Sequence, residues 1–363
     1  MSLRIPWWEP QVGGEERELL EQVLASNFLN NGEFTTRFEN QLAQRLGCRH
    51  VVAVTSGTAA LFLALAAGGV GPNDEVIVPD LTFIATANAV RLAGATPVLV
   101  DIDPRTLNLD PESMQRAITT RTRAVIPVHL SGRGAPMAEI QQLARAHDLF
   151  VIEDAAEALG SQQNGQYLGT IGHAGCLSFS PNKTITTGQG GAVLTNDDQL
   201  NQRLRELKDQ GRPVRGTGGD DLHPSLGFNF KLTNLQAAIG IAQLGRLDER
   251  IARLRRTYHL YAEQLNGVAG ITLPGFGEGE VPQWVDALSP RRDELVRYLS
   301  ANGIDCRRFW FPLHTQPPYR QADEGFPHAM SASAQGVWLP SAFTLSDADV
   351  MTVGACVRAC LQR

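Results

Sequence analysis

Long hydrophobic runs and an excess of positive charge are both missing from this chain of 363 residues. No stretch approaches the about 18 uninterrupted apolar residues typical of a membrane-spanning helix, so no membrane association is expected. The net charge of -6 argues against nonspecific binding of nucleic acid, which requires a basic surface. The N-terminal residues lack the charged segment and apolar run of a signal peptide, so the expected location is the cytoplasm.

Paired cysteines are missing as well. The five cysteines are odd in number, scattered, and form no CxxC pair, which indicates neither a disulfide framework nor a zinc site. Internal repeats, low-complexity tracts and long linkers are also lacking. A hydrophobic content of 43% in a chain of this length predicts an ordinary globular protein of about two closely packed domains without a bound metal.

Strand-like and helix-like segments alternate through the first half of the chain. The strand-like segments are continuous apolar runs, and amphipathic segments separate them: EVIVP, TPVLVD, RAVIPVHL and LFVIED. Strands of this kind are typical of a mostly parallel sheet with helices on both faces. The chain is therefore predicted to be an α/β protein that binds its ligand at the carboxyl ends of the strands.

Helical periodicity predicts several further elements. The helices are predicted at residues 14–26, 36–46, 199–210, 233–265, 290–303 and 346–361. A polar, glycine-rich loop is expected at residues 212–227. The domain change is placed inside the long helix near residue 250, which gives a large domain of residues 1–250 and a smaller C-terminal α+β domain of residues 251–363.

Three pieces of sequence carry candidate chemistry. Lys183 lies between an apolar strand and a glycine-rich turn in LSFSPNKTITTGQGGAVLT, Asp154 ends LFVIED, and TSGTAALFLAL opens a helix with small and hydroxyl residues. Taken singly, the lysine is explained as a surface charge, and the other two pieces as helix caps. Together, a lysine, a strand-end carboxylate and a phosphate-sized helix N-terminus are what pyridoxal phosphate chemistry requires.

These pieces, in this order, resemble the DegT/DnrJ/StrS-type sugar aminotransferases. The resemblance continues in NNGEFTTRFENQLAQRLG, VIVPDLTFIATANAVRLAGATPVLVDIDP, GFNFKLTNLQAAIGIAQL and FWFPLHTQPPY, and so covers nearly the whole chain. It implies the aspartate aminotransferase-like fold type I, with a mostly parallel seven-stranded sheet flanked by helices. It also implies bound pyridoxal 5'-phosphate.

The resemblance assigns the two central roles. Lys183 is expected to form the Schiff base with the cofactor aldehyde and then, displaced by the amino donor, to move a proton between substrate and cofactor. Asp154 is expected to lie against the pyridine nitrogen and keep it protonated. Similar enzymes with histidine at the lysine position remove oxygen from sugars, so Lys183 favours transamination.

Five further residues are assigned to the cofactor in the same way. Gly57, Thr58 and Ser178 match positions that hold the phosphate. Phe83 matches an aromatic that stacks on the ring, although a phenylalanine after a strand is more often a core residue. Glu157 matches a position near the ring oxygen that often holds glutamine in the family, and it would have to be protonated to donate a hydrogen bond there.

Three later residues are expected to serve the substrate or a second subunit. Asn229 matches an asparagine that reaches the phosphate in the neighbouring subunit, which implies a homodimer with shared active sites; a turn asparagine is the alternative. Lys231 and His314 are candidates for holding a nucleotide diphosphate at the entrance, with a structural histidine as the alternative. The segment at residues 281–288 looks compact compared with its relatives.

The predicted function is transfer of an amino group, with glutamate as the donor, to a nucleotide-linked keto-sugar through pyridoxamine phosphate. Such products feed surface polysaccharides or natural products. One alternative is an aminotransferase for a cyclitol or another ketone without a nucleotide. A sugar dehydratase is a second alternative, against which Lys183 speaks. A third is a sensor that binds cofactor or sugar without turnover, and this one predicts that replacing Lys183 leaves the biological role intact.

Overall fold

The computed structural model describes residues 5–213 and 222–363. The helices are α1 Glu16–Ala25, α2 Glu33–Leu46, α3 Gly57–Ala67, α4 Ala85–Leu92, α5 Pro111–Ala117, α6 Met137–Ala146, α7 Asp198–Lys208, α8 Asn234–Gly245, α9 Leu247–Leu265, α10 Arg292–Ala301, α11 Pro327–Gln335 and α12 Asp347–Leu361. The strands are β1 His50–Val54, β2 Glu75–Pro79, β3 Thr96–Val100, β4 Thr122–Val125, β5 Phe150–Asp154, β6 Gln162–Gln163, β7 Gln166–Tyr167, β8 Ala174–Ser178, β9 Gly191–Thr195, β10 Val285–Leu288, β11 Arg307–Arg308 and β12 Gly336–Leu339.

The main sheet of the described chain has seven strands in the order β1-β9-β8-β5-β4-β2-β3. Strand β9 runs antiparallel to both of its neighbours, and every other adjacent pair is parallel. Every residue of β2 and of β9 is buried, because helices cover both faces of the sheet. The predicted α/β fold with a mostly parallel seven-stranded sheet is confirmed.

Helix α3 brings backbone N–H groups to the carboxyl end of the sheet. Its Leu, Ala and Phe side chains are buried along the whole middle of the helix, which fits a helix packed beneath the sheet. Ser56 follows β1 and caps the helix, since its Oγ accepts the backbone N–H of Ala59 at 3.1 Å. The turn from β1 into α3 therefore lies where ligands bind in parallel sheets.

The prediction of a single helix at residues 233–265 is wrong, because this segment forms two helices. Helix α8 begins at a capping box formed by Thr233 and Gln236, and it ends at Gly245. Arg246 leaves helical geometry, with φ −99° and ψ 6°, before α9 begins. Glycine is a poor helix former, and the first helix ends at Gly245 although the apolar periodicity continues across this position.

A second, three-stranded antiparallel sheet forms in the C-terminal part, in the order β10-β12-β11. Helix α9 contributes to two cores: Ile251 and Leu254 pack with residues around the main sheet, whereas Leu260 and Leu265 pack with the C-terminal elements. The proposed domain boundary near residue 250 falls within this helix. A two-stranded hairpin of β6 and β7 was not predicted.

The polar loop predicted at residues 212–227 lies partly outside the described residues, which resume at 222. In the parts of the chain that the structure describes, no helix combines the length and the apolar character needed to cross a membrane.

Candidate active site

A cavity of about 340 Å³ opens at the carboxyl end of the main sheet. The loops after β1, β2, β5 and β8 meet there, and the C-terminal part closes one side. Small-molecule sites typically occupy cavities of this size in this position. The residues that line it are Ser56, Gly57, Thr58, Leu61, Thr82, Phe83, Ala85, Thr86, Val128, Asp154, Ala156, Glu157, Ser178, Ser180, Asn182, Lys183, Gln189, Trp284, Arg307 and Trp310.

Lys183 reaches the cavity from the loop between the antiparallel strands β8 and β9. Its backbone N–H donates to the Ser180 carbonyl at 3.1 Å, and the next residue, Thr184, donates its N–H to the Gln283 side chain at 3.1 Å. The Nζ atom lies 3.3 Å from Oε1 of Glu157 and 4.8 Å from the ring centre of Trp284. The loop thus holds a primary amine beside a carboxylate and an aromatic face.

Asp154 ends β5, and its carboxylate is buried against the cavity wall. Thr86 donates its hydroxyl to Oδ2 at 2.8 Å, and the backbone N–H of Ala156 donates to Oδ1 at 3.2 Å. Desolvation raises the pKa of Asp154, although the Thr86 hydrogen bond partly offsets this. Such an anion is suited to pairing with a buried protonated nitrogen.

Glu157 lies three residues beyond Asp154, in the turn after β5, and contacts two other segments. Its Oε2 accepts the backbone N–H of Ser131 at 2.9 Å, while Oε1 faces Lys183. Burial raises the pKa of Glu157, and the positive charge of Lys183 opposes that rise. In this structure the carboxyl group contacts the lysine directly, and its predicted contact with a cofactor ring oxygen stays a prediction.

Gly57, Thr58 and Ser178 also line the cavity, and Gly57 lies against Ser178. A Cβ atom on Gly57 would lie 2.9 Å from Cβ of Ser178, so only glycine permits this close approach. The Oγ atoms of Ser178 and Ser180 are 2.9 Å apart. Two hydroxyls and the N-terminus of α3, where Ser56 caps the Ala59 N–H, thus form a concavity suited to an anion.

These features fit pyridoxal 5'-phosphate. The anion-binding end suits a phosphate, the buried carboxylate of Asp154 suits a pyridinium nitrogen, and the Lys183 amine suits an aldehyde. The space that the missing Cβ of Gly57 leaves lies next to the two serine hydroxyls. A phosphorylated pyridine aldehyde therefore matches the donor set of the cavity.

Phe83 also lines the cavity, and 52% of its surface is exposed. Its ring lies 6.2 Å from that of Trp310, so the two aromatics flank the opening. An apolar side chain left this exposed at the end of a strand is not a core residue. Its predicted stacking on the cofactor stays a prediction.

Asn229 and Lys231 lie outside the cavity lining. Asn229 is exposed and bridges through its backbone to Asp209. Lys231 forms an ion pair with the same Asp209. The structure therefore places neither residue against the cofactor site of its own subunit.

His314 is fully buried and does not reach the cavity, so direct contact with a diphosphate at the entrance is not supported. Its Nδ1 lies 2.6 Å from Oδ2 of Asp80, and its backbone N–H donates to Oδ1 of Asp80 at 2.8 Å. The ring also stacks on Phe326 with 4.3 Å between centres. The structural alternative describes this histidine, because the buried carboxylate at the end of β2 requires a partner.

Several residues of the cavity wall carry no role predicted from the sequence, among them Thr86, Trp284, Arg307 and Trp310. Thr86 lies three residues after Phe83, and a hydroxyl at the start of α4 was the only local signal. Trp284 belongs to the segment whose compactness was noticed without a role. Arg307 and Trp310 come from the C-terminal part; Trp310 lies within FWFPLHTQPPY, and the resemblance assigns neither residue a role in the cavity.

Comparison with known proteins identifies the family. The profile of the DegT/DnrJ/EryC1/StrS aminotransferase family matches residues 10–358. A GDP-perosamine synthase of Caulobacter vibrioides is 42% identical over 358 residues, covering 96% of this chain and 95% of that protein. The putative pyridoxal phosphate-dependent aminotransferase EpsN of Bacillus subtilis strain 168 is 37% identical, covering 86% of this chain and 83% of that protein.

The fold of a solved relative agrees with this assignment. The crystal structure of DesI in the presence of its TDP-sugar product matches with a TM-score of 0.92 and 34% identity, covering 100% of this chain and 94% of that chain. The chain therefore belongs to the DegT/DnrJ/EryC1/StrS aminotransferase family, and it is a sugar aminotransferase.

Proposed function

We propose that the protein uses pyridoxal 5'-phosphate held by Lys183 to transfer the amino group of glutamate to the keto group of a nucleotide-linked sugar. The observation that carries the proposal is the meeting of Lys183, Asp154 and the N-terminus of α3 in one cavity. One relative is named GDP-perosamine synthase, and another, DesI, was crystallised in the presence of its TDP-sugar product. Both support a nucleotide-linked acceptor.

The chain's own residues divide the work. When bound, the cofactor supplies an aldehyde that joins amines reversibly and a ring that withdraws electrons. Lys183 holds the aldehyde and, once released, carries a proton at Nζ to and from the reacting carbon. Asp154 keeps a proton on the ring nitrogen, and Glu157, 3.3 Å from Nζ, stabilises the charged lysine after its release.

The exposed position of Asn229 supports a second part of the proposal, a homodimer with shared active sites. A residue outside its own cavity is free to complete the phosphate site of a second copy. Exposed apolar side chains occur on the loop before α2 and near Asn229, at Phe28, Leu29 and Leu226. Surface of this kind is typical of a contact between subunits.

The test is absorbance of protein loaded with pyridoxamine phosphate while keto-sugars are added one at a time. GDP-linked and TDP-linked keto-sugars form the first panel, and cyclitol ketones form the second. The expected result is that one nucleotide-linked compound converts the bound cofactor to the pyridoxal form. The Lys183→Ala variant, as the control, should bind the cofactor and fail to convert it.

Conversion only with a cyclitol ketone would overturn the nucleotide-linked assignment and leave the aminotransferase assignment standing. Full conversion by the Lys183→Ala variant would remove Lys183 from the proton transfer. No conversion by any keto compound, together with a biological role that survives loss of Lys183, would favour the sensor alternative.

A further inference from the structure

The side chain of Gln283 contacts the backbone on both sides of Lys183. Its Nε2 donates to the carbonyl of Asn182 at 3.2 Å. Its Oε1 accepts the hydroxyl of Thr184 and also the backbone N–H of that residue, the latter at 3.1 Å. Gln283 is only 1% exposed, so its amide depends on these partners rather than on water. One amide group therefore fixes the two peptide units that flank the lysine.

Ser131, in the segment between β4 and α6, joins Gln283 to Glu157. Its carbonyl accepts the backbone N–H of Gln283 at 2.9 Å, and its own N–H donates to Oε2 of Glu157 at 2.9 Å. Its φ of 52° lies in the left-handed region, which residues other than glycine seldom adopt. Such backbone persists where surrounding contacts hold it, and it is concentrated at functional sites.

The C-terminal segment contacts Ser131 a second time through Asp286. The Ser131 hydroxyl donates to Oδ1 of Asp286 at 2.8 Å, and the buried Arg133 forms an ion pair with the same carboxylate. Residues 283 and 286 thus hold Ser131 by its carbonyl and by its side chain. The position of Ser131, and with it the N–H that reaches Glu157, depends on this segment.

These contacts close into a circuit around the lysine. Oε1 of Glu157 lies 3.3 Å from Nζ of Lys183, so the amine is held at the end of the side chain while Gln283 holds the backbone at its base. A lysine side chain is flexible, and a compact ammonium on a long stem has many positions available to it. Contacts at both ends restrict where Nζ can lie.

We propose that Gln283 is a positioning residue for the Lys183 amine, an assignment that rests on the proposed function. By fixing the Lys183 backbone, it keeps Nζ beside Glu157 and at the place where protons are carried. Gln283 does not line the cavity, so it acts through the lysine and not on a substrate. Because the same amine serves the half-reaction with glutamate and the half-reaction with the keto-sugar, both should depend on Gln283.

Acetylation of the cofactor-free protein tests the position of the amine without catalysis. The chain has three lysines, Lys183, Lys208 and Lys231, so peptide mass spectrometry can follow each one. Gln283→Met keeps the length of the side chain and loses both hydrogen bonds. The acetylation rate of Lys183 relative to Lys231 should rise about two- to tenfold, the scale of one lost hydrogen bond, as Nζ leaves Glu157. Gln283→Glu, which keeps the acceptor for Thr184, should give a smaller rise.

Single-turnover kinetics test the consequence for the reaction. In Gln283→Met, the rate constants at saturating substrate should fall by about 10–100-fold in both half-reactions, the scale of a reacting group displaced from its productive position. The substrate concentration that gives half the maximal rate should stay within about threefold. Gln163→Met is the matched control, because this glutamine on β6 also donates its Nε2 to a backbone carbonyl, that of Ala135, at 3.1 Å. It should change neither the rate constants nor the acetylation ratio.

A Gln283→Met protein that melts at a lower temperature but keeps the acetylation ratio and both rate constants would show a purely structural role and overturn the proposal. A loss in one half-reaction alone, or weaker substrate binding with unchanged rate constants, would assign Gln283 to a substrate and overturn it as well. If the unaltered protein performs neither half-reaction, the proposed function is refuted, and the acetylation ratio alone decides the role of Gln283. If Gln283→Met does not fold, the same measurements on Gln283→Glu decide.

Discussion

Asp154 is a buried anion whose hydrogen-bond donors in this structure are a hydroxyl and a backbone amide. Burial raises its pKa, so the folded protein binds this proton more tightly than the unfolded chain does. Protonated Asp154 stabilises the folded protein fully at pH values below the ordinary aspartate pKa of about 3.9. This stabilisation is lost as pH rises through the pKa that Asp154 has in the folded protein. At neutral pH, the carboxylate therefore destabilises the cofactor-free protein.

We expect Asp154→Asn to raise the stability of the cofactor-free protein and to lower the activity of the protein loaded with cofactor. The cofactor-free variant should melt at a higher temperature than the unaltered protein at pH 7, and the difference should shrink as pH approaches 4. The rate of transamination should fall by roughly 10²–10³-fold, because the ring nitrogen loses its anion. Thermal unfolding against pH, with steady-state kinetics of the loaded variant, measures both effects.

Asp198→Asn is a control for which the expected change in stability at pH 7 has the opposite sign. Hydrogen bonds from His50 and Arg49 lower the pKa of this exposed carboxyl group, so its removal at pH 7 should give a small loss of stability. A lower melting temperature for Asp154→Asn at pH 7 would contradict the proposed destabilisation.

At the scale of elements, hydrogen bonds between Asp80 and His314 connect the C-terminal part to the end of β2. The Leu313 N–H also donates to the Asp80 carbonyl at 2.8 Å, so three hydrogen bonds join the two segments. Residues two and three positions after Asp80 line the cavity, as does Trp310, which precedes His314 by four positions. The pair thus sets the spacing between two walls of the active site.

Replacing one partner should cost more than replacing both. His314→Phe keeps the ring stacked on Phe326 but leaves Asp80 buried without its partner, and we expect a loss of about 3–5 kcal/mol in the free energy of unfolding. The double variant with Asp80→Asn should recover most of that loss, because the amide oxygen still accepts the backbone N–H of residue 314. Urea unfolding of the single and double variants measures the difference.

The pH dependence of the single variant provides a second check. Burial already raises the pKa of Asp80, and removal of the imidazole should raise it further. Protonation then relieves the unpaired charge, so His314→Phe should approach the stability of the unaltered protein as pH falls. A double variant no more stable than His314→Phe would show that lost packing, rather than charge, is responsible.

The order of elements explains which parts of the site could be predicted from sequence. Asp154 and Lys183 belong to continuous motifs at strand ends, where local pattern and chemistry coincide. Trp284 and Arg307 lie more than a hundred residues beyond Asp154, and the C-terminal sheet brings them to the cavity. Their side chains carry no local signal, since only the tertiary fold decides which face of a short strand meets the site. The burial of His314 against Asp80 is likewise decided by the tertiary fold.

At the scale of the whole molecule, shared active sites make a prediction about mixed dimers. Lys183→Ala and Asn229→Ala should each lose activity as homodimers. In a mixed dimer, one site would carry both substitutions and the other neither, so random mixing should restore roughly a quarter of the unaltered activity. Activity after denaturing and refolding equal amounts of the two variants together measures this.

Mixing without refolding serves as the control, and it should restore nothing until subunits exchange. Refolded mixtures that stay inactive while mixed dimers are present would place Lys183 and Asn229 in the same site of one subunit. A fully active monomer at high dilution would contradict the shared site directly.

All five tryptophans of the chain lie in one contact network beside the active site. Trp7, Trp284, Trp310 and Trp338 pack with ring centres 4.8 to 6.0 Å apart, and Trp8 donates its Nε1 to the carbonyl of Pro181 on the Lys183 loop at 3.0 Å. The tryptophan fluorescence of the protein therefore reports on the environment of this cavity. A change in tryptophan emission during a titration reports what happens around Lys183, because all five tryptophans lie there.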